Sequence, residues 1–223
     1  MGAGFGYSAG RHDRAWRFLR SLSFDFALLQ EAVVPPWATE IWGDDCIEFV
    51  PRRTGARWGT AVISGGQAIQ QFVPSSVHHP WLNELGGTSL IAHTQDKEVW
   101  LVSLHSNAQP VPSELLLCHP YDHVLRCRDD SVWELELVAS ELQQILAKES
   151  FLAGGDLNTS LLFDRTYGRS RNNWKVFENL AAQGFVDTRL SEDEQRTFFR
   201  PRNLGYQLDH VFADSETAAS VTS

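Results

Sequence analysis

The sequence predicts a layered α/β domain, and two observations carry that prediction. Short apolar segments alternate along the chain with segments whose apolar residues have helical spacing. Several short segments, such as residues 99–104, are apolar at both odd and even positions, which is typical of strands covered on both faces. We therefore expect one domain over residues 1–213, with a substantial core, followed by a frayed tail at residues 214–223.

The predicted elements begin with a helix and then a strand. The apolar residues that share the face of this first helix are Ala15, Phe18, Leu19 and Leu22. The next segment, residues 24–31, is short and apolar and ends on a charged residue, as a strand would. Further strands are expected at residues 46–50, 58–64, 88–93, 99–105, 151–153 and 206–213.

Two more helices carry signals for their ends. Ser131 and Glu134 have the spacing of a capping box ahead of an apolar helical stripe. Trp174 and Phe177 belong to another stripe that stops before Gly184, a residue type common at helix C-termini. Residues 107–130 hold three prolines and show no sustained period, so we expect a long surface loop there.

Charge limits the partners that the protein attracts. The formal net charge is −9, so the molecule as a whole does not attract polyanions at long range. Any affinity for nucleic acid must therefore be local. Arginines cluster in three predicted loops, each of which could bind phosphate: Arg52, Arg53 and Arg57; Arg165, Arg169 and Arg171; and Arg196, Arg200 and Arg202.

Composition excludes other classes of protein. Hydrophobic residues make up 43% of the chain, which excludes a disordered protein. No apolar run approaches the roughly 18–20 residues needed to span a bilayer, so we expect no membrane insertion. Three widely spaced cysteines suit a reducing compartment and predict a cytoplasmic protein. No feature of the sequence indicates an obligate protein partner.

Polar and charged side chains recur where the apolar strands end. In α/β proteins, catalytic side chains gather at such positions because rigid strands hold them while the loops leave room for substrate. Gly154 and Gly155 would also allow a close approach beside one of these residues, Asp156. The strand-end residues are Glu31, His105, Asp156, Asn158, Asp209 and His210.

Four motifs containing these residues resemble the ordered motifs of the endonuclease/exonuclease/phosphatase superfamily, the DNase I-like family. They are LLQE at 28–31, SLHSN at 103–107, GGDLN at 154–158 and LDHVFA at 208–213. The resemblance covers nearly the whole chain, from about residue 12 to residue 213. It implies a four-layer α/β sandwich of two packed mixed β-sheets flanked by helices, and a divalent-metal-dependent hydrolysis of a phosphoester.

The resemblance also implies roles for the acidic residues. Glu31 and Asp209 are the candidate ligands for Mg²⁺, which prefers oxygen donors and is usually held by one or two carboxylates plus substrate phosphate. Mn²⁺ is a possible substitute. Asp156 is suited to orient or deprotonate the attacking water, while the Asn158 amide holds that water or a phosphate oxygen.

The histidines receive roles from the same resemblance. His210 would act on the phosphoryl group as acid, base or cationic stabiliser, paired with Asp187, whose charge would raise the pKa of His210. His105 matches the histidine of the DNase-like branch. Because Asp209 and His210 are adjacent, they would face opposite ways on a regular strand, so we expect a strand end or a twist there.

The substrate is left open by these motifs. The leading expectation is a phosphodiesterase of the nuclease type acting on a phosphoester of DNA or RNA. The alternatives are a phosphomonoesterase on a small phosphorylated substrate and a catalytically impaired member that acts as a binding module. A zinc site at Cys118, His119, His123 and Cys127 is a weaker hypothesis, since the spacing departs from the usual paired ligands.

One departure from the family concerns the N-terminus. Members of the superfamily begin with a strand that ends in Asn beside the metal-binding Glu, whereas here the glycine-rich residues 1–6 lead almost directly into the first helix. A missing strand leaves neighbouring backbone groups unpaired, so we expect weakened metal binding and low activity in this form. A longer natural start would restore the strand and could also carry a signal peptide.

Overall fold

The computed structural model describes residues 9–52, 56–85, 89–96, 98–107, 110–128, 130–167, 172–188, 197–199 and 205–220. The predicted departure at the N-terminus falls on residues 1–8, which are outside the described residues. The strands are β1 Phe26–Ala32, β2 Ile47–Pro51, β3 Gly59–Ser64, β4 Ile69–Phe72, β5 Ser89–Thr94, β6 Trp100–His105, β7 Phe151–Asp156, β8 Val186–Asp187, β9 Phe198–Phe199, β10 Gly205–Tyr206 and β11 Asp209–Ala213.

The helices lie mostly between these strands in the chain. A short 3₁₀ turn at Asp44–Cys46 precedes β2. The α-helices are α1 Ala9–Ser21, α2 Ala38–Trp42, α3 Pro80–Glu84, α4 Ser113–Leu116, α5 Glu134–Leu146, α6 Leu161–Tyr167, α7 Asn173–Ala182 and α8 Ser215–Ser220. Among the described residues, these helices are all too short or too polar to cross a membrane.

The smaller sheet has three antiparallel strands in the order β1-β3-β2. Its outer face packs against α1, which contributes the buried Trp16 and Leu19, and α2, which contributes Ala38. β3 is the central strand and is buried along its whole length, because both of its faces are covered. The strands predicted at 24–31, 46–50 and 58–64 are thus confirmed.

The larger sheet has six strands in the order β4-β5-β6-β7-β11-β8. The pair β6–β7 is parallel and the other pairs are antiparallel. Successive side chains of β6 point to opposite faces of the sheet. Leu101 packs with Val62 and Leu90 between the sheets, whereas Val102 and Leu104 pack against α5 on the outer side. The molecule is therefore a four-layer α/β sandwich, as predicted.

The start of helix α5 is held by the buried carboxylate of Glu136 and differs from the predicted one. The capping box predicted from Ser131 and Glu134 is wrong. Helix α5 begins at Glu134, and the side chain of Glu136 accepts the backbone N–H of Trp133 at 2.8 Å and that of Cys127. Two acidic residues, Glu134 and Glu136, lie in the first turn of α5. The sequence pattern selected Glu134 with Ser131, whereas the capping residue is Glu136 with Trp133.

The C-terminal end of the domain also differs from expectation at one point. Residues 215–220, expected to fray, form α8, because the Asp214 carboxylate accepts the N–H groups of Glu216 and Thr217, each at 3.0 Å. The same carboxylate accepts the N–H of Phe151 at 2.9 Å, which ties the helix to β7. Residues 221–223 lie outside the described part. Gly184 ends α7 with a φ of +89°, as predicted.

Candidate active site

Three predicted site residues share one row of the larger sheet. His105 at the end of β6 is in register with Asp156 at the end of β7, and Asp209 at the start of β11 is in register with the same Asp156. Residues paired across a ladder point to the same face of the sheet. For His105 this is the face of Leu101, which looks toward the smaller sheet. The fold thus places an imidazole and two carboxylates side by side at one end of the sandwich.

Glu31 comes to this end of the sandwich from the smaller sheet. Leu29 pairs with Ala61 and Ala32 pairs with Gly59, so two residues of β1 lie opposite one residue of β3, which is a β-bulge. Glu31 is the second of these two residues and has a left-handed φ of +52°. A bulge changes the direction of side chains, and bulges are common beside active sites. The sequence motif identified Glu31 but gave no sign of the bulge.

The Asp156 carboxyl has a perturbed pKa. Burial raises it from 3.8 to about 6, and the charge of Asp209 raises it too, whereas a hydrogen bond from the Asn158 N–H lowers it. That hydrogen bond ends on Oδ1 of Asp156 at 2.9 Å. A carboxyl with this pKa is largely ionised at neutral pH and is still basic enough to accept a proton.

Asn158 is locked into the turn that follows β7. Its backbone has a left-handed φ of +50°, which asparagine tolerates better than most residues. Its side-chain Nδ2 donates to the carbonyl oxygen of Ser106 at 2.9 Å. The N–H of Ser106 donates in turn to the carbonyl oxygen of Asp156 at 2.9 Å, which extends the β6–β7 ladder by one bond. The two strand ends are thereby held together around the carboxylate.

His105 lies in a mixed electrostatic environment. Burial lowers the pKa of its imidazole, the charges of Glu31 and Asp209 raise it, and the charge of Arg52 lowers it. The net shift is downward, so the ring is neutral at pH 7 and can both donate and accept a hydrogen bond. These charges come from both sheets, from Glu31 in the smaller sheet and Arg52 directly after its strand β2, and from Asp209 in the larger sheet.

A polar link between the sheets lies beneath the row. Gln30 is fully buried, and its Nε2 donates to Oγ of Ser103 at 2.7 Å, while that hydroxyl donates to the carbonyl oxygen of Leu29 at 3.2 Å. Gly155 makes room for this link: a Cβ there would lie 2.4 Å from Nε2 of Gln30 and 2.1 Å from the carbonyl oxygen of Leu104. No signal in the sequence distinguishes Gln30 or the hydroxyl of Ser103 as part of the site.

His210 and Asp187 lie on the other face of the sheet. His210 is in register with Gly155 and is buried against the rings of Phe177 and Phe212, and its Nε2 lies 2.9 Å from the carbonyl oxygen of Thr159. Asp187 is in register with Phe212, so it points to the same face as His210, one row away. The structure does not bring these two residues into the row of His105. β11 begins at Asp209, so the expected strand end is present. The side chains of Asp209 and His210 nevertheless point to opposite faces of the sheet.

The remaining candidates differ in how well the structure supports them. Within the described residues, no group of three or more His, Cys, Asp or Glu is arranged to hold a metal ion. Of the proposed zinc ligands, Cys118 is exposed, and Cys127 is buried with its thiol pKa raised to about 12 by burial and the charge of Glu136. Most of the second and third arginine clusters lie outside the described residues.

Comparison with solved structures identifies the fold. A 3′ phosphatase from Neisseria, NExo, bound to a product DNA hairpin, is 15% identical with a TM-score of 0.64, over 96% of this chain and 86% of the other. The endonuclease domain of the telomere-specific retrotransposon TRAS1 is 15% identical with a TM-score of 0.58, over 98% and 84%. This chain has the endonuclease/exonuclease/phosphatase fold.

Other similarities are more distant or absent. A mannosyl-6-phosphatase from Bacteroides thetaiotaomicron is 13% identical with a TM-score of 0.52, over 92% of this chain and 77% of the other. No protein-family model and no curated protein matches the sequence. The endonuclease/exonuclease/phosphatase fold is therefore established by structural similarity, and the sequence motifs at the strand ends agree with it.

Proposed function

We propose that this protein is a divalent-metal-dependent phosphoester hydrolase whose preferred substrates are phosphodiesters of the nuclease type. The observation that carries the proposal is the row of His105, Asp156 and Asp209 at the strand ends, opposite Glu31 on its bulge. A fold of this kind hosts many activities, so the proposal rests on the site and not on the fold alone.

The donor chemistry of the site fits Mg²⁺ or Mn²⁺. Glu31 and Asp209 would hold the ion, since hard divalent cations take carboxylate oxygens and complete their coordination with water and substrate phosphate. Asp156 is a partly desolvated carboxyl that is repelled by the charge of Asp209. A bound cation would reduce this repulsion. Bound there, the ion would supply charge neutralisation at a phosphoryl oxygen.

The side chains of the row can carry the proton transfers. Asp156 accepts a proton from the attacking water, since its pKa of about 6 lies close to neutral pH. Asn158 keeps Asp156 in place through its own N–H and through its side-chain bond to Ser106. His105, neutral at pH 7, donates a hydrogen bond to a phosphoryl oxygen or to the leaving group.

The structural neighbours support both diester and monoester substrates. One is described as an endonuclease domain, and two are described as phosphatases, of which one is bound to a DNA hairpin. We place the nuclease-type diesterase first because of the DNase-like His105, and treat the monoesterase and the inactive binding module as outcomes of the assay below.

The experiment compares turnover of bis-p-nitrophenyl phosphate and p-nitrophenyl phosphate with Mg²⁺, with Mn²⁺ and with EDTA. We expect metal-dependent turnover that favours the diester, and a loss of kcat of about a hundredfold or more in Asp156→Asn. The matched control is Asp130→Asn, since Asp130 is exposed, pairs with Arg128 and is not one of the residues of the row. Turnover in EDTA, or full activity of the Asp156 variant, would refute the proposal. A stable protein inactive on both substrates would favour the binding module.

His210 and Asp187 require a test of their own. The proposed catalytic role of His210 predicts that His210→Ala lowers kcat by about a hundredfold with little change in melting temperature, and that Asp187→Asn shifts the pH profile. Packing of the ring against Phe177 and Phe212 predicts instead a large fall in melting temperature. Measuring both quantities on the same variants separates a contact with substrate from a structural contribution.

A further inference from the structure

The loop that follows β2 holds an arginine on an aromatic ring. The N–H of Arg52 donates to the carbonyl oxygen of Trp58 at 3.1 Å, which closes the loop between β2 and β3. The guanidinium carbon of Arg52 lies 5.1 Å from the centre of the Trp58 ring. A cation over an indole face is attracted to it, and the ring also limits the directions in which the side chain can point. Arg52 is therefore oriented before any ligand binds.

The register of the smaller sheet places this arginine at the site. Pro51 pairs with Gly59, and Gly59 pairs with Ala32, so one row of the sheet runs from the residue before Arg52 to the residue after Glu31. Gly59 permits this close spacing, because a Cβ there would lie 1.9 Å from the carbonyl oxygen of Val50. Arg52 and Glu31 thus leave the sheet at the same end.

The electrostatics of the site agree with that placement. Burial is the main cause that lowers the pKa of the His105 imidazole, and the positive charge of Arg52, which follows β2 of the opposite sheet, also lowers it. Arg52 makes no ion pair with any carboxylate in the described part of the chain, although Glu31 and Asp209 act on the same imidazole. A site rich in carboxylates, on a protein with a net charge of −9, repels an anionic substrate. An unpaired cation at its edge offsets that repulsion.

We propose that Arg52 is the phosphate-binding residue of this site, with Trp58 as the support that holds its guanidinium in place. The guanidinium donates to two non-bridging oxygens of the substrate phosphoryl group, a geometry that a planar fork provides and an ammonium does not. The assignment rests on the proposed hydrolase function for its substrate, but the binding of a phosphate group can be measured without turnover.

The experiment measures binding of inorganic phosphate by calorimetry, and inhibition of diester turnover by phosphate, in Arg52→Met and Arg52→Lys. Methionine keeps the length of the apolar stem, so the change removes the charge and the fork. We expect Arg52→Met to weaken phosphate binding and to lower kcat/KM by about tenfold to a hundredfold, the range for losing a charged hydrogen bond. Arg52→Lys should recover less than half of this loss on a logarithmic scale.

The matched control is Arg57→Met. Arg57 lies in the same loop but is exposed, so its removal changes the net charge equally and should leave phosphate binding within about twofold. Trp58→Leu should weaken binding by a smaller factor than Arg52→Met, because it removes only the support. Melting temperatures of all variants identify any that fail to fold, and Arg52→Lys then serves in place of a misfolded Arg52→Met.

The outcomes separate this assignment from the proposed function. Phosphate binding that depends on Arg52 in a protein that hydrolyses no ester would support the assignment and reject the hydrolase. Normal turnover and normal phosphate binding in Arg52→Met would reject the assignment and leave the hydrolase intact. Equal losses in Arg52→Met and Arg57→Met would show a general charge effect and also reject it, as would a wild-type protein that binds no phosphate.

Discussion

The raised pKa of Asp156 predicts that this residue reduces the stability of the folded protein above about pH 6. Its pKa is 3.8 in an unfolded chain and about 6 in the folded one, so the folded state holds the proton more tightly. Stability associated with the protonated carboxyl is fully present below about pH 4 and is lost as the pH rises through about 6. Two pH units correspond to roughly 3 kcal/mol, which partial exposure of the carboxyl reduces to about 1–2 kcal/mol.

Asp156→Asn should therefore make the protein more stable while it removes the proposed base. Asparagine keeps the shape and one oxygen that can accept the N–H of Asn158, so the turn after β7 stays in place. Urea unfolding in EDTA at about pH 8 should show a gain of about 1–2 kcal/mol, and the gain should vanish at about pH 4. A variant that is less stable than the wild type at pH 8, or a gain of equal size at both pH values, would refute the reasoning.

Three further predictions concern single side chains. Gly155→Ala should destabilise the fold by more than about 3 kcal/mol, because φ is +143° and the Cβ would lie 2.1 Å from the carbonyl oxygen of Leu104; an unchanged melting temperature would contradict this. Asp164→Ala should cost about 2 kcal/mol or more in urea unfolding, since it removes the acceptor for the N–H groups of Asn173 and Trp174, and Asp164→Asn should cost less. Asp209→Asn should abolish any rise in melting temperature caused by Mg²⁺, and an undiminished rise would remove Asp209 from the ligand set.

Local patterns predicted much of the fold. The predicted ends of β1, β3, β5 and β6 lie within two residues of the observed ends, because strands covered on both faces have apolar residues at both odd and even positions. No pattern predicts β4, since it has only four residues, two of them polar, and lies at the edge of its sheet. Helix α8 is not predicted, because the tail is rich in small polar residues and has no apolar stripe. The helix depends instead on its N-terminal cap, the Asp214 carboxylate. Such elements depend on the hydrogen bonds of one side chain or on one neighbouring strand and leave no period in the sequence.

The site was predictable in its residue types and not in its geometry. The motifs located Glu31, His105 and Asp156 where apolar strands end, and Asp209 where β11 begins. Which of them share a face depends on register and strand order, and these are set by contacts distant in sequence. For the same reason the burial of His210 against helix α7 could not be read from the motif in which it lies.

Backbone strain is concentrated at the same end of the sandwich as the row of acidic residues. Among the described residues, three non-glycine residues have a left-handed φ, and two of them, Glu31 and Asn158, belong to the candidate site. Each such conformation costs about 1–2 kcal/mol, and the desolvated Asp156 adds a further cost above pH 6. The ladder between β6 and β7 and the buried bond from Gln30 to the opposite sheet lie directly beneath and offset these costs. Folding alone does not require a left-handed Glu31 or a desolvated carboxyl at residue 156, so the retained cost supports the proposal that this end of the sheet is the active site.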